Sequence, residues 1–149
     1  LMNDIITFDG YIKLYRIRAC KEIKLGDRII NKGDLGGYIQ SEDNLSHDGN
    51  SWIYGDAKVF GDARVFGNAA VYGDAHVYGN AQVFGSAEVY GNAKVHGDAW
   101  VCCKARVYDT ADVYGNAQVY DKAWVYGDSR VSGDAKVGDN RSLNCQDLW

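Results

Sequence analysis

The sequence predicts an all-β solenoid of short stacked strands. From Ile53 onward, valine recurs at every sixth position, fourteen times in succession up to Val137. A small residue, alanine at all but one position, follows each apolar residue from Ile53 to Val131 four places later. An aromatic residue and then Gly-Asp or Gly-Asn occupy most of the remaining positions. A period of six that runs through residues 53–142 without an insertion indicates a repeat architecture.

Each hexad has the chemistry of a short strand followed by a corner. In Ala-x-Val-Tyr, small or branched side chains alternate with variable or aromatic ones, so alanine and valine share one face of a strand. Gly-Asp and Gly-Asn adopt positive φ at little cost and turn the chain sharply, and glycine this frequent opposes a helix. A strand of four residues cannot bury its apolar face alone, so the hexads are expected to stack on one another.

The pattern V-x-x-x-A-x over residues 53–142 resembles the hexapeptide-repeat family, in which a small residue follows an aliphatic one four places later. The resemblance implies a left-handed parallel β-helix with triangular coils of three hexapeptides. Residues 18 apart would then stack at about the inter-strand spacing of ~4.8 Å. One set of corners supports this coil length independently, because carboxylate and amide alternate there and like charges are not stacked. These corners are Asp62, Asn80, Asp98, Asn116 and Asp134.

The segment before the repeats is predicted to be a small β-rich N-terminal cap over residues 1–35. It contains two strand-like stretches, at 11–19 and 28–31, separated by glycine turns. Residues 143–149, where the repeat has ended, are predicted to be a C-terminal cap or tail. Both assignments follow from the need of a solenoid to cover its open ends.

The β-helix itself is predicted to span residues 36–142. Its first coil, 36–52, is irregular, and regular hexads fill 53–142. The apolar spacing in the first coil is longer by two residues, so a bulge is expected at a corner near His47.

Stretches outside the repeats carry a narrower resemblance. Leu14–Ala19, Gly33–Ile39, Asn44–Ser46 and Gly49–Trp52, taken with the hexads, are similar to a group of phage and prophage hexapeptide-repeat proteins labelled transferase-like or polymer-forming. The resemblance implies a phage or prophage origin and covers nearly the whole chain.

Amino-acid composition limits the kinds of partner and the cellular compartment that we expect for this chain. A chain of 149 residues with 46% hydrophobic residues fits one globular domain, and a net charge of −4 makes nucleic acid an unlikely partner. Cys20, Cys102, Cys103 and Cys145 lack the spacing of a disulfide framework, which indicates a reducing compartment. Without an apolar run of ~18 residues or a signal pattern, we expect no membrane association and a cytoplasmic location, in the host if the gene is phage-encoded.

Acyl transfer is the enzymatic alternative that the family resemblance implies. Such acyltransferases use a histidine base at a cleft between subunits, and the candidates here are His96 and His76. No loop leaves the repeat, and the repeat places no orienting carboxylate beside either histidine. These histidines and His47 do not converge as zinc ligands would, and Cys102 and Cys103 should point in different directions. We therefore expect no catalytic residue, no metal and no cofactor.

One edge of the predicted solenoid departs from the consensus. The corner glycine becomes Cys103 and, one coil later, Asp121, and each is followed by a lysine. Aromatic and cationic side chains flank this edge, a combination typical of protein-binding surfaces, although drift in a tolerant repeat is an alternative explanation. The predicted binding patch comprises Trp100, Cys102, Lys104, Arg106, Tyr108, Tyr120, Lys122, Trp124 and Tyr126.

A column of tyrosines predicts self-association. Tyrosine recurs every 18 residues on one face, where the rings would stack on one another and leave a long apolar stripe exposed. Such stripes usually meet a partner, most simply another copy of the chain. The predicted oligomer face comprises Trp52, Tyr54, Tyr72, Tyr90, Tyr108 and Tyr126, and the expected assembly is a dimer or trimer.

The leading functional expectation is a non-enzymatic binding or scaffold protein of phage or prophage type. It would present rigid aromatic and basic faces to a macromolecular partner, one version being an accessory inhibitor of a host protein. Two alternatives stay open: an acyltransferase with an inter-subunit active site, and nucleic-acid binding through Lys58, Lys94 and Arg130.

Overall fold

The computed structural model describes residues 5–138 and 142–143. Stacked parallel coils form a β-solenoid of about six turns, which confirms the predicted all-β repeat fold. Paired strands of the solenoid lie 18 residues apart: His76 pairs with Lys94, and Val77 with Val95. The left-handed sense of the coil stays a prediction of the family resemblance.

The N-terminal strands precede the solenoid and lead into its first coil. They are β1 (Ile5–Phe8), β2 (Ile12–Arg18), β3 (Ile23–Leu25), β4 (Arg28–Ile30) and β5 (Leu35–Ile39), followed by a 3₁₀ turn at Glu42–Asn44. The strands of the repeat have two residues each. They are β6 (Trp52–Ile53), β7 (Lys58–Val59), β8 (Arg64–Val65), β9 (Ala70–Val71), β10 (His76–Val77), β11 (Gln82–Val83), β12 (Glu88–Val89), β13 (Lys94–Val95), β14 (Trp100–Val101), β15 (Arg106–Val107), β16 (Asp112–Val113), β17 (Gln118–Val119), β18 (Trp124–Val125), β19 (Arg130–Val131), β20 (Lys136–Val137) and β21 (Ser142–Leu143).

Three parallel sheets make the three sides of the solenoid. Face one contains β6, β9, β12, β15, β18 and β21; face two contains β5, β7, β10, β13, β16 and β19; face three contains β8, β11, β14, β17 and β20. Strands β1 and β2 extend face two at its N-terminal end through antiparallel pairing with β5. The predicted cap over residues 143–149 lies outside the described residues, apart from the backbone of Leu143.

The core is a stack of identical layers. Every repeat valine from Val59 to Val131 is fully buried, and so is nearly every repeat alanine. The strands have two residues instead of the predicted four, because only the variable residue and the valine of each hexad lie in the extended, paired part of the chain. The alanine amide already closes a corner turn, as Ala99 does onto the carbonyl of His96 at 3.4 Å.

The corners hold the coils in register. Their glycines adopt positive φ, for example +65° at Gly97. In the column where Asp and Asn alternate, each amide donates to the carboxylate one coil later. Asn80 Nδ2 lies 3.0 Å from Asp98 Oδ1, and Asn116 Nδ2 lies 3.2 Å from Asp134 Oδ1. The alternation therefore supplies hydrogen bonds as well as avoiding stacked charge.

The irregular first coil contains the predicted bulge. Leu45 pairs with Val65, twenty residues later, whereas Trp52 pairs with Ala70, eighteen residues later. The two extra residues are absorbed by a bend at 47–50. Buried Asn44 fastens the preceding turn, because its Nδ2 donates to the carbonyls one coil later at 2.9 and 3.1 Å.

Strand β2 of the cap has a buried residue on each face. Leu14 and Ile17 are both buried although they lie three residues apart, which places them on opposite faces of a regular strand. Only Ile17 belongs to the hydrophobic core that continues into the solenoid. The pairing of β2 with β5 shifts register between Arg16 and Arg18, where the extra residue lies on β5.

Alanine substitution at two corner glycines can measure how tightly adjacent coils stack. Both Gly115 and Gly133 have positive φ, +67° and +62°, so alanine at either should cost about 1–2 kcal/mol. A Cβ at Gly115 would lie 2.8 Å from the amide nitrogen of Gly133, whereas a Cβ at Gly133 meets nothing within 4 Å. We expect Gly115→Ala to lower the free energy of unfolding more than Gly133→Ala, as measured by denaturant titration. Equal losses would show that backbone conformation alone governs these corners.

Candidate functional site

The predicted binding patch is assembled around the corner between face three and face one. Trp100 lies on β14 of face three, and Trp124 lies on β18 of face one beside Arg106. Lys104 and Lys122 occupy this corner in successive coils and are exposed. Trp100 and Trp124 are each 43% exposed, although tryptophan is on average a highly buried residue. We call this corner, with Trp100, Lys104, Lys122 and Trp124, the Trp edge.

Both tryptophans rest on aromatic neighbours one coil earlier. The ring of Trp100 contacts Phe84 edge-on at 6.0 Å between centroids, and Trp124 contacts Tyr108 in the same way at 6.5 Å. Each indole is therefore supported by a ring in the preceding coil while the residue stays 43% exposed. A supported ring loses little conformational freedom when a partner covers it.

Arg106 is already engaged within the protein. Its guanidinium lies over the Trp124 ring at 5.7 Å, and its Nε lies 3.1 Å from Glu88 Oε2. Sequence reasoning had treated Arg106 as a cation available to a partner and had not included Glu88. An exposed ion pair contributes little stability, so its main effect is to orient the guanidinium against the indole.

Non-glycine residues occupy three corner positions that require positive φ. Cys103, Asp109 and Asp121 have φ of 65°, 58° and 53°, a conformation that costs about 1–2 kcal/mol for residues with a Cβ. At Asp109 the side chain compensates, because its carboxylate accepts a hydrogen bond from the amide of Gly127 at 3.0 Å. Cys103 and Asp121 lie in successive coils at the Trp edge, so two of these three unfavourable backbone conformations occur at this corner.

The two adjacent cysteines do not point apart as the sequence suggested. Their Sγ atoms lie 3.2 Å from each other. Burial, together with the hydrogen bond to Cys103, raises the pKa of the Cys102 thiol to about 12. The positive φ of Cys103 turns its side chain back toward Cys102, which alternation along a strand could not reveal.

The tyrosine column forms the predicted ladder on face one. Consecutive rings from Tyr54 to Tyr126 are nearly parallel, with centroids 4.7 to 5.4 Å apart. Burial raises the pKa of Tyr54, Tyr72, Tyr90 and Tyr108, so these phenols are neutral at physiological pH. The stack stabilises face one internally, as cross-strand aromatic pairs do.

The cap removes part of the predicted oligomer face. Trp52 is only 4% exposed and belongs to the core, so the expectation that it contributes to a contact surface is wrong. The guanidinium of Arg28 lies 5.0 Å above the Tyr54 ring and 5.2 Å above the Tyr72 ring. Arg28 therefore covers part of the ladder at Tyr54 and Tyr72, whose side chains are still partly exposed, as are those of the other three tyrosines.

Face two carries an imidazole–carboxylate pair that the sequence missed. His96 Nε2 lies 2.8 Å from Asp112 Oδ1, so His96 does have an orienting carboxylate, contrary to expectation. Asp112 follows in the next coil, in the column beside the one that contains His96. The imidazole is also stacked between Tyr78 and Tyr114, at 4.7 and 5.2 Å.

His76 lies apart from this pair and is covered by the cap. Phe8 of β1 contacts its ring edge-on at 5.2 Å. Burial, reinforced by the charges of Lys58 and Lys94, lowers the pKa of His76 from its ordinary value of 6.5. Within residues 5–138, no group of three or more His, Cys, Asp or Glu side chains could hold a metal ion.

A small cavity lies between the cap and the first coil. It measures about 80 Å³, with Ile17, Ile39 and Trp52 among its apolar lining and Lys21 and His47 among its polar lining. Lys21 Nζ donates to the carbonyl of His47 at 3.3 Å. Sequence reasoning missed this cavity because its walls come from segments that no periodicity connects.

Comparison with known proteins supports the architecture. A family model described as the YdcK Beta solenoid repeat matches residues 63–79. This segment contains β8, β9 and β10, one strand from each face. Curated proteins show no match to the chain. In the part of the chain that the structure describes, no helix has the length and apolar character needed to cross a membrane.

The lowered pKa of His76 predicts a pH-dependent loss of stability. The unfolded chain takes up this proton near pH 6.5, whereas the folded chain resists it, so the contribution of His76 is complete above pH 6.5 and is lost as the pH falls through the lowered value. We expect NMR titration to give the His76 imidazole a pKa below 6.5. We expect His76→Gln to remove the part of the acid-induced loss of stability that comes from this residue. His47→Gln, at an exposed position, is the control. A His76 that titrates above 6.5 would contradict the assignment.

Proposed function

We propose that this protein is a non-enzymatic binding scaffold whose Trp edge docks on a protein partner. The observation that carries the proposal is the exposure of Trp100 and Trp124, at 43% each, on the two sides of one corner. Exposed indoles on a rigid support are the residues that most often dominate binding free energy. The stacked layers beneath them give the surface its rigidity, which lowers the entropic cost of association.

The chemistry of the Trp edge specifies what the partner must offer. Lys104 and Lys122 are exposed at the corner between the two indoles, in a chain whose net charge is −4. The partner surface is therefore an apolar groove for the indoles with an acidic rim for the lysines. Arg106, held by Glu88, supports Trp124 rather than reaching outward.

Origin and setting form a second part of the proposal. The similarity of Leu14–Ala19 and Gly33–Ile39 to phage and prophage proteins supports a phage-encoded accessory protein that occupies and inhibits a host protein. Cys20, Cys102 and Cys103 are free thiols, which favours the reducing host cytoplasm. Self-association into a dimer or trimer through face one would use Tyr90 and the tyrosines beyond it.

An acyltransferase is the second candidate, and the His96–Asp112 pair favours it. A carboxylate 2.8 Å from the imidazole orients it as a general base requires. The rings of Tyr78 and Tyr114 cover both faces of the imidazole, so only its edge is open to a substrate. Between residues 53 and 138 no loop leaves the coils to form the cleft that such enzymes use. Acyl transfer is therefore the second candidate.

Nucleic-acid binding through face two is the weakest candidate. Lys58 is engaged within the protein, because its Nζ donates to the carbonyl of Asp56 at 3.0 Å. The same ammonium lies near the rings of Phe8 and Tyr38, at 5.9 and 5.7 Å. Asp112 lies between Lys94 and Arg130 in their column and reduces its positive charge.

Binding through the Trp edge predicts a selective loss of affinity. A pull-down from host lysate with the wild-type chain should retain a protein that a Trp100→Ala/Trp124→Ala variant does not. Each hot-spot tryptophan should contribute about 2 kcal/mol or more, equivalent to a roughly 30-fold change in Kd. Isothermal titration with the identified partner measures this change.

The matched control for this experiment is Tyr11→Ala. Tyr11 is 83% exposed, the most open of the exposed large apolar side chains, and it lies in the cap, away from the Trp edge. This variant should bind the partner like the wild type. Equal retention by the double tryptophan variant, with its β-solenoid circular dichroism intact, would exclude the Trp edge as the docking site.

The acyltransferase candidate has its own test. Calorimetric titration with acetyl-CoA should show no binding if the protein is only a scaffold. The enzyme proposal would replace the scaffold proposal if two results were obtained. Asp112→Asn would have to weaken acetyl-CoA binding, and His96→Asn would have to abolish acyl transfer. Gln118→Ala, on face three, controls for a general effect of altering an outward side chain.

A further inference from the structure

Cys102 and Cys103 form a pair of thiols at the Trp edge that the proposed function does not use. They replace the aromatic residue and the glycine of the hexad together, and Cys103 adopts a positive φ of 65° where the repeat favours glycine. Their sulfurs lie 3.2 Å apart. Cys103 is exposed and Cys102 is half-buried, so a small reagent can reach the pair from solvent.

The backbone around the pair is held by the coils on both sides. The amide of Cys102 donates to Val119 at 2.9 Å, the carbonyl of Cys103 accepts from Ser86 at 2.6 Å, and the carbonyl of Cys102 closes the corner turn at 3.2 Å. A disulfide would require the sulfurs to approach to ~2.05 Å within one dipeptide, which would distort these hydrogen bonds. A single atom that bridges the sulfurs leaves them close to their present separation.

We propose that Cys102 and Cys103 are a dithiol site for a thiophilic, three-coordinate metalloid, represented by a monosubstituted trivalent arsenical, R–As(OH)₂. Two As–S bonds form, while two As–O bonds and two S–H bonds break. Each thiol proton leaves with one hydroxide as water, the group R stays on arsenic, and no atom changes oxidation state. The product is a ring that contains both sulfurs, the arsenic and the backbone between the two side chains.

The site is independent of the proposed binding partner, so the fate of one proposal does not decide the other.

The test uses the full chain with Cys20→Ser and Cys145→Ser, which leaves only the adjacent pair. Phenylarsine oxide, the dehydrated form of the arsenical, is added to the reduced protein, and intact-mass spectrometry counts the adducts. We expect one phenylarsenic group per chain, with two hydrogens lost from the protein. The adduct should persist in excess monothiol and be removed by a dithiol.

Two variants keep the result interpretable because each restores the residue that the repeat carries. Cys103→Gly and Cys102→Tyr should both fold and should each bind the arsenical roughly 10²- to 10⁴-fold more weakly, since the second thiol acts at a high effective concentration. Equal binding by either variant would overturn the proposal.

The melting temperature distinguishes a site built by the fold from a reactive dipeptide. The folded chain already holds the sulfurs at a bridging separation, whereas the unfolded chain must order them, so the adduct should raise the Tm. A fall in Tm on adduct formation would show that the native corner does not accommodate the bridge, and would overturn the proposal as well.

Discussion

The structure depends on one constraint, which is that every strand from β6 onward must stack on a strand 18 residues away with its inner aliphatic residue superposed on that of the neighbour. A two-residue strand buries too little apolar surface to persist alone, and only the column of valines and alanines from neighbouring coils completes its core. The amide-to-carbonyl ladder between coils satisfies the backbone at the same time. A single residue inserted in the repeat would turn the valine of every later layer away from the core.

The same superposition converts the outer surface into columns, and this explains both its regularity and its exceptions. Aromatic side chains stack on aromatic side chains at about 5 Å, and amides donate to carboxylates one coil later. A residue that breaks a column therefore loses contacts on two sides. At the Trp edge, Cys102 and Cys103 break two columns at once, and Cys103 adopts an unfavourable backbone conformation as well. These energetically unfavourable features are concentrated on one surface corner, which is the physical reason to assign a function to that corner.

The N-terminal cap has a larger influence on the functional surface than its size suggests. It extends face two by two antiparallel strands, covers Trp52, and places Arg28 over Tyr54 and Tyr72. It also places Phe8 against the partly buried ring of His76 and encloses a small cavity against the first coil. The accessible surface of the solenoid therefore shifts away from the cap, toward the coils that contain Trp100 and Trp124.

The sequence by itself determined the solenoid and its inner valine column, because local chemistry repeated at a constant spacing can be read without coordinates. The 18-residue coil came from the family resemblance, with support from the alternating Asp and Asn corners. The bulge near His47 and the Trp edge could be located as departures from the period. Only the tertiary structure decided the burial of Trp52, the His96–Asp112 contact and the approach of the Cys102 and Cys103 sulfurs. The first comes from packing against a cap that has no period. The other two depend on side-chain direction across a coil and at a corner with positive φ, which the spacing of residues along the chain does not specify.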